Sequence, residues 1–442
     1  MTEWTEKTIE IEGIGYTGEG YSRAEEGHFI SVPHTLPGDK VVIRCGPVKW
    51  GRAWGSVIEW VHKSHEHVDP DCSHYTRCNG CALRHLSPEN ERIWKIAQTR
   101  QILGKYAASI GEDIPIDWID GGLRKGHRIR GVFRLQFSPD SLHIGLQSTS
   151  MDGSLADIRN CPAQSSGFTR LMVAFAALFE SHMKEARSIE TLELRLSDEG
   201  ASAGGIALIK CAVPLSPHLK EALVALARNL NISLSCQDPE GFESLLGRAS
   251  HPLIHHSGSY SMPVEVPLES WYHATPGTAH LAHNWLMNGI GHSSSNFALE
   301  LGAGVGTMTH HLLRRGYEVL SVDRDHRALE ALKHAAEKQC LKVRTRAGNF
   351  STILKRLKQK DLVSSEQRIA VINPMRKPLG RDSLEWLPQL NVNEIAYLGP
   401  TAVSTARDLE TLHSLSYRLD RLAVVNLHPA TAQITLAAVL QR

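Results

Sequence analysis

Residues 298–309 read ALELGAGVGTMT. An apolar run leads into three glycines on alternate positions, and a polar, helix-compatible stretch follows. This pattern demands a strand that turns sharply into a helix, with backbone free to approach a neighbour where a Cβ would intrude. From about residue 265 the chain obeys the same rule repeatedly. FALELG, YEVLSVD, LKVRTRAGN, RIAVIN, EIAYLG, LAVVNL and QITLAAVL read as strands, with helical patterns between most of them. Strands alternating with helices predict a doubly wound α/β domain.

The glycine turn narrows the ligand. Asp323 ends YEVLSVD, one strand after the loop, where a carboxylate can grip ribose hydroxyls. A nicotinamide dinucleotide and S-adenosylmethionine both fit a strand, a glycine turn and a downstream acid. The dinucleotide pattern G-x-G-x-x-G would need a glycine at position 307, where the chain has Thr307. Gly302, Gly304 and Gly306 in an E-x-G-x-G-x-G frame favour S-adenosylmethionine.

Upstream, Cys72, Cys78 and Cys81 form C-x5-C-x2-C within DCSHYTRCNGC. Three cysteines within ten residues predict a metal site rather than disulfides. A fourth ligand must come from elsewhere, and Cys161, followed by a proline in DIRNCPA, is the best candidate. Four thiolates suit tetrahedral zinc or an iron–sulfur cluster. Three close cysteines with one distant one favour [4Fe–4S]. Cys45, Cys211, Cys236 and Cys340 stand alone and are read as buried apolar residues.

Residues 1–62 alternate and break at glycines, with a turn at Leu36–Asp39, and predict a small β-barrel. Lys49, Arg52 and Trp54 there offer charge and a stacking surface for RNA. Residues 88–107 predict a helix capped by Ser87, with Ile93, Ile96, Ala97, Leu103 and Ala107 on its apolar face. Residues 121–260 read as α+β. In RIRGVFRLQF, Arg128, Arg130 and Arg134 alternate with apolar residues, so one strand face suits a phosphate backbone. Residues 168–183 predict an amphipathic structural helix.

Composition excludes some classes. The 442 residues carry 48 Lys and Arg against 47 Asp and Glu, so the chain is not a polycationic nucleic-acid coat. No apolar run is long enough to cross a bilayer as a helix, and MTEWTEKTIEIEG has no leader-like pattern. The expectation is a cytoplasmic protein with no membrane partner, and a monomer. The 24 histidines show no ligand spacing, and the expectation is that they are solvated or hydrogen-bonded.

Together these motifs resemble the RNA uracil-5-methyltransferases that modify 23S rRNA and tRNA. The resemblance covers nearly the whole chain. It implies a TRAM-like barrel at 1–62, a central iron–sulfur α+β domain at 63–262 and a Rossmann-like methyltransferase domain at 263–442. The helix over 88–107 would pack on the last of these. CSHYTRCNGCALRHLS with Cys161 resembles the family's [4Fe–4S] site, and LELGAGVGTMT its S-adenosylmethionine loop. YLGPTAVSTARDL matches a Y-V-S-C-N-P-x-T-x-A-R-D-L motif, with Ala406, Arg407, Asp408 and Leu409 fixing the register. NPMRKPLG stands where the family has D-P-P-R-x-G, and YHATPG where it has F-x-Q-x-N. The implied cofactor contacts are His273, Gly302, Gly304, Gly306, Thr307, Asp323, Asn349 and Asn373. The implied partner is a structured rRNA or tRNA.

The departures fall on the chemistry. In the family a cysteine thiolate adds to uracil C6, C5 accepts the methyl group, and a carboxylate removes the C5 proton. The nucleophile position falls on Pro400 and the base position near Thr435. No cysteine lies between Cys340 and the end of the sequence. The expectation is therefore no standard uracil C5 methylation. Two readings follow: methylation of an atom that needs no covalent activation, or an RNA-binding pseudoenzyme acting in RNA folding or ribosome assembly.

Overall fold

Eight strands form the sheet around the glycine turn. In spatial order they are Arg344–Ala347, Glu318–Asp323, Phe297–Leu301, Arg368–Ile372, Val392–Gly399, Thr435–Gln441, Arg418–Val425 and Ile116–Ile119. Thr435–Gln441 runs antiparallel to both its neighbours, and the other pairs are parallel. Phe297–Leu301 and Arg368–Ile372 are buried at every position. Strands covered on both faces read as continuous apolar runs, which is why FALEL and RIAVI carry no alternation. From Phe297–Leu301 the chain moves outward to Glu318–Asp323, then returns to place Arg368–Ile372 on the other side. That reversal opens a crevice at the carboxyl ends of the strands. The computed structural model describes residues 4–110, 114–149, 153–196, 205–257, 260–291, 297–357, 368–375 and 377–442.

The chain forms two compact units. One comprises residues 1–98, 133–162 and 428–433; the other comprises 99–132, 163–427 and 434–442. The three consecutive segments read from the sequence run through these units rather than coinciding with them. In the first unit, six strands pair in the order Thr5–Glu10, Lys40–Cys45, Arg52–His62, Phe29–Val32, Gly20–Arg23 and Gly13–Ile14. Ile11, Ile30, Val32, Val41 and Ile43 fill its core. The turn at Leu36–Asp39 forms as expected. Asp39 accepts hydrogen bonds from the Leu36 and Ser64 amides (2.6 and 2.7 Å) and pairs with His67.

The helix Pro88–Tyr106 has the Ser87 cap, with Asn90 N–H donating to Ser87 Oγ at 3.1 Å. Leu103 and Ala107 are buried and Ile96 is half-buried, as expected, but Ile93 is 57% exposed and Ala97 is exposed, whereas Glu91 and Lys95 are buried. The ion pair Glu91–Lys95 (2.9 Å) is completed by backbone. Ala430 N–H donates to Glu91, and Lys95 Nζ donates to the His428 carbonyl. Burying a charged pair demands such partners, and apolar periodicity has no means of signalling them.

The second unit also holds the antiparallel pair Ser250–Ser257 and Tyr260–Pro267. The amphipathic helix expected over 168–183 spans Phe168–Ser181 and buries Phe168, Leu171, Met172, Phe175 and Phe179. The strand Ile116–Ile119 is an addition that the sequence did not announce. Four residues are too few for a periodicity, and its place is fixed by pairing with Arg418–Val425.

Candidate functional site

The glycine turn sits at the carboxyl end of Phe297–Leu301. Gly302, Gly304 and Gly306 all have positive φ (85°, 52° and 91°). A Cβ on Gly302 would stand 2.2 Å from the Asn373 carbonyl oxygen, and one on Gly306 would stand 2.2 Å from Leu332 Cδ1. Both positions therefore require glycine on two independent grounds. Asp323, at the end of the next strand, is buried. Its Oδ2 accepts from Gly304 N–H (2.8 Å) and its Oδ1 from Asp325 N–H (2.9 Å). The carboxylate thus ties the turn to the neighbouring strand end and keeps further lone pairs for a ligand.

Glu300 supports this arrangement from beneath. It is fully buried and accepts from Thr309 Oγ1 (2.5 Å) and Ser321 Oγ (2.7 Å). Burial pushes its carboxyl up to about 7, against those two donors. Sequence reading counted Glu300 only as part of the glycine frame. Asn373 follows Ile372, and its N–H donates to the Leu301 carbonyl at 2.8 Å. Asn349 caps the helix Phe350–Arg356 through Ser351, and the adjacent Gly348 N–H donates to the Asp323 carbonyl. Arg376 of NPMRKPLG lies outside the described residues.

His273 and Thr307 line one cavity of about 260 Å³, together with His255, His256, Tyr272 and His280. Thr275 has a different role: it precedes the helix Pro276–Gly289, and its Oγ1 donates to the Leu427 carbonyl at 3.0 Å. The expectation of solvated or hydrogen-bonded histidines fails here. His255, His283, His310 and His311 are buried, and both ring nitrogens of His283 and His310 lack a hydrogen-bond partner. Burial is the leading cause that lowers His273 and His310 to about 4 and His255 and His311 to about 3. The sequence signal was HH at 255–256 and 310–311 with His280 and His283 three apart, but only the fold brings the segments together.

Pro400 follows the strand Val392–Gly399, and Thr435 opens Thr435–Gln441. Gly399 pairs with Leu436, so both positions lie at the same end of two neighbouring inner strands. Asp408 is a clamp: its carboxylate accepts from Leu379 N–H (2.6 Å), Gly380 N–H (3.1 Å) and Tyr397 OH (2.5 Å). Those bonds hold the loop after Asn373 against the helix Ala402–Ser414.

The arginines separate. Arg130 forms a bidentate pair with Glu193 (2.6 and 3.3 Å), which also binds Arg195. Arg128 is half-buried, with its N–H on the Ala163 carbonyl, and Arg134 is exposed. In the first unit Arg52 pairs with Glu19 (2.9 Å) and Trp54 is 37% exposed. Both line a cleft of about 810 Å³ with Tyr16, Asn79 and Gln147.

Cys72, Cys78, Cys81 and Cys161 gather in the first unit. Burial pushes the Cys78 thiol up to about 11, and the charges of Cys81, Cys161 and Cys72 add to the rise. Gly80 N–H donates to Cys78 Sγ at 3.3 Å, and Arg84 Nη1 points at Cys81 Sγ from 4.0 Å. Among the described residues no group of three or more His, Cys, Asp or Glu side chains is arranged to hold a single metal ion. Cys45, Cys211 and Cys236 are buried as expected; Cys340 is exposed, at a positive φ of 57° beyond the helix His326–Glu337.

Residues 298–382 match the methyltransferase domain family. Over 443 residues the chain is 24% identical to the 23S rRNA (uracil(1939)-C(5))-methyltransferase RlmD of Shewanella sediminis, covering 98% of this chain and 95% of that one. The RlmD of Shewanella putrefaciens is likewise 24% identical over the same shares. The likeness to RNA uracil-C5 methyltransferases runs the whole length of the chain. In structure, the tRNA (uracil-54, C5)-methyltransferase of Pyrococcus abyssi, solved with S-adenosyl-L-homocysteine, superposes with a TM-score of 0.74 at 18% identity. That superposition covers 98% of this chain and 99% of that one, so the two share a fold from end to end.

Proposed function

We propose that the chain is an S-adenosylmethionine-dependent RNA methyltransferase whose acceptor atom is not uracil C5. The observation that carries this reading is an intact glycine turn tied to Asp323 in a chain with proline at the nucleophile position. S-adenosylmethionine supplies an electrophilic methyl group on a positively charged sulfur. Gly302, Gly304 and Gly306 would let backbone lie against it, Asp323 would take the ribose hydroxyls, and His273, Thr307, Asn349 and Asn373 would supply the remaining polar contacts. Uracil C5 becomes nucleophilic only after a thiolate adds to C6, and Pro400 has none to add. A ring nitrogen, an amino group or a ribose hydroxyl brings its own lone pair and needs no such step.

Cys72, Cys78, Cys81 and Cys161 would hold a [4Fe–4S] cluster, a reading supported by the spacing of three close cysteines and one distant one. Its role here is to brace the RNA-binding half of a cytoplasmic monomer. Arg128, Arg134 and the cleft at Arg52 and Trp54 would meet a structured rRNA or tRNA. The TRAM-like, iron–sulfur and methyltransferase segments at 1–62, 63–262 and 263–442 are the division that goes with this reading.

The changes at Pro400, Thr435, Asn373 and His273 together favour one competitor, an RNA-binding pseudoenzyme. Calorimetry with S-adenosylmethionine on anaerobically purified protein separates the two. Binding that Asp323→Ala weakens at least about 100-fold, or roughly 2.7 kcal/mol, supports the methyltransferase. No binding to a folded, iron-loaded protein overturns it, and covalent trapping of RNA containing 5-fluorouridine would overturn the choice of acceptor.

A further inference from the structure

The cleft of about 810 Å³ in the first unit is assembled from stretches far apart in sequence. Tyr16, Arg52 and Trp54 come from the six-stranded sheet and its loops. Asn79 comes from between Cys78 and Cys81, Gln147 from the end of the strand Leu142–Gln147, and Gln433 from the segment after Ala430. The middle two are stitched together by backbone. Asn79 N–H donates to the Gln147 carbonyl at 3.1 Å, and Thr149 N–H donates to the Arg77 carbonyl at 3.0 Å. The cysteine-bearing loop therefore forms one wall. Uncommon backbone gathers around the cleft as well. His34, Trp50 and Ala430 are the non-glycine residues with positive φ among the described residues of the first unit, at 67°, 55° and 62°. His34 lines the cleft, Ala430 precedes the lining Thr431, and Trp50 lies two residues before Arg52. Such conformations persist only where the surroundings enforce them, and they cluster at ligand sites.

Charge decides what the cleft suits. Its charged side chains, Arg52 and Glu19, are already paired at 2.9 Å, and Thr17 Oγ1 also donates to Glu19. Burial lowers His34 to about 4, so it carries no charge near pH 7. A phosphate calls for an uncommitted cation, and a metal ion for an uncommitted carboxylate or thiolate. The described residues that line the cleft offer neither. They offer the exposed rings of Tyr16 and Trp54 and the side-chain amides of Asn79, Gln147 and Gln433. Trp54 is a fixed platform, because its strand pairs with Phe29–Val32 and its carbonyl accepts from Gly46 N–H at 3.0 Å. Aromatic faces bordered by amides suit a flat, neutral ligand that stacks and hydrogen-bonds at its rim. A nucleobase is such a ligand, and an amide matches its neighbouring donors and acceptors.

We propose that this cleft holds an unpaired nucleobase of the RNA. It belongs to the first unit, whereas the glycine turn belongs to the second, so this base is not the one that receives a methyl group. The proposal rests on the RNA part of the reading above and not on methyl transfer. Tyr16 and Trp54 stack on the base, while Asn79, Gln147 and Gln433 meet its edge. Lys49, bridged to Arg52, and Arg77, two residues before Asn79, are exposed cations for the adjoining phosphates. Asn79 stands between two of the clustered cysteines, so the cysteine loop sets where the edge is read. A base can enter only when it is unstacked, and the cleft therefore selects single-stranded segments.

The test is binding of full-length, anaerobically purified protein to a single-stranded RNA 12-mer that carries one 2-aminopurine. Stacking in the cleft should quench the 2-aminopurine fluorescence. Trp54→Leu should weaken binding at least about fivefold and remove the quench, with the salt dependence unchanged. Trp54→Phe, which keeps a ring, should retain most of both and so separates lost stacking from a lost fold. Asn79→Ala should weaken binding about three- to tenfold. Trp60→Leu, on the same strand but outside the cleft, should change neither readout. A duplex of the same sequence should compete at least about tenfold less well. If the 12-mer binds but Trp54→Leu and Asn79→Ala leave affinity and quench unchanged, or the duplex competes equally, the cleft proposal is overturned while the RNA reading stands. If the 12-mer does not bind, the RNA reading fails and takes the proposal with it, even where free adenosine occupies the cleft. If binding follows the variants in a protein with no affinity for S-adenosylmethionine, the cleft stands and the methyltransferase reading fails.

Discussion

Half-buried Cys78 in one unit and buried His283 in the other are titratable groups that desolvation shifts toward the neutral form, by raising a thiol and lowering an imidazole. Their surroundings differ. The sulfurs of Cys78 and Cys81 face Gly80 N–H and Arg84, donors that oppose the effect of burial and would stabilise a thiolate. Neither ring nitrogen of His283 has a hydrogen-bond partner, and the rings of His273 and His311 stand 5.8 and 6.3 Å away. The first environment is prepared to hold permanent charge opposite a cation. The second offers no partner to a charged ring. Clusters of titratable side chains are therefore told apart by the donors around them rather than by burial.

The most severe way to break this contrast is at the sulfurs. Cys78→Ala should abolish bound iron and the visible absorbance of anaerobically prepared protein, and lower the melting temperature by more than about 5 °C; Cys340→Ala, exposed and apart, should change neither. Retained iron in Cys78→Ala would remove the thiolate side of the comparison.

Acid sharpens the histidine side. The folded-state values of His251, His255, His273, His283, His310 and His311 all lie below the usual 6.5, with burial as the first cause. Below pH 6.5 the unfolded chain therefore binds more protons than the folded one. Their contribution is complete above about pH 6.5 and is lost as the pH falls toward about 4. Each histidine contributes up to roughly 1.4 kcal/mol per pH unit in that window. Thermal unfolding should show a steep fall in melting temperature from pH 7 to 5, and His283→Phe should flatten it. A slope that His283→Phe leaves unchanged would remove His283 from the buried neutral set.

The smallest effect separates two arginines that the sequence placed on one face. Arg130→Ala removes a bidentate partner from buried Glu193 and should lower stability by about 1–3 kcal/mol in denaturant unfolding, with RNA affinity barely moved. Arg134→Ala should leave stability unchanged, weaken RNA binding less than tenfold and reduce the salt slope by about one.

Much of the second unit was legible in the sequence because its signals are local. A glycine turn, an acid one strand later and buried apolar strands each declare themselves within a few residues. That Cys72, Cys78 and Cys81 lie near one another was legible from spacing, and Ser87 and Leu36–Asp39 from turn and cap chemistry. What escaped was set by contacts across long separations. Ile93 fits an apolar stripe, but Glu91 and Lys95 take the buried face because backbone more than 300 residues away completes their pair. Arg130 reads as a phosphate contact until Glu193 is placed beside it. The buried histidines come from local patterns that only tertiary structure brings together.

The segment 428–433 has a consequence for how the molecule is made. It lies between two strands of the eight-stranded sheet, yet it belongs to the first unit. There Ala430 accepts from Leu83 N–H and donates to Glu91, while His428 accepts from Lys95. The Glu91–Lys95 pair therefore gains its backbone partners only by closing a loop of more than 300 residues, and contacts of such long separation are the slowest to form.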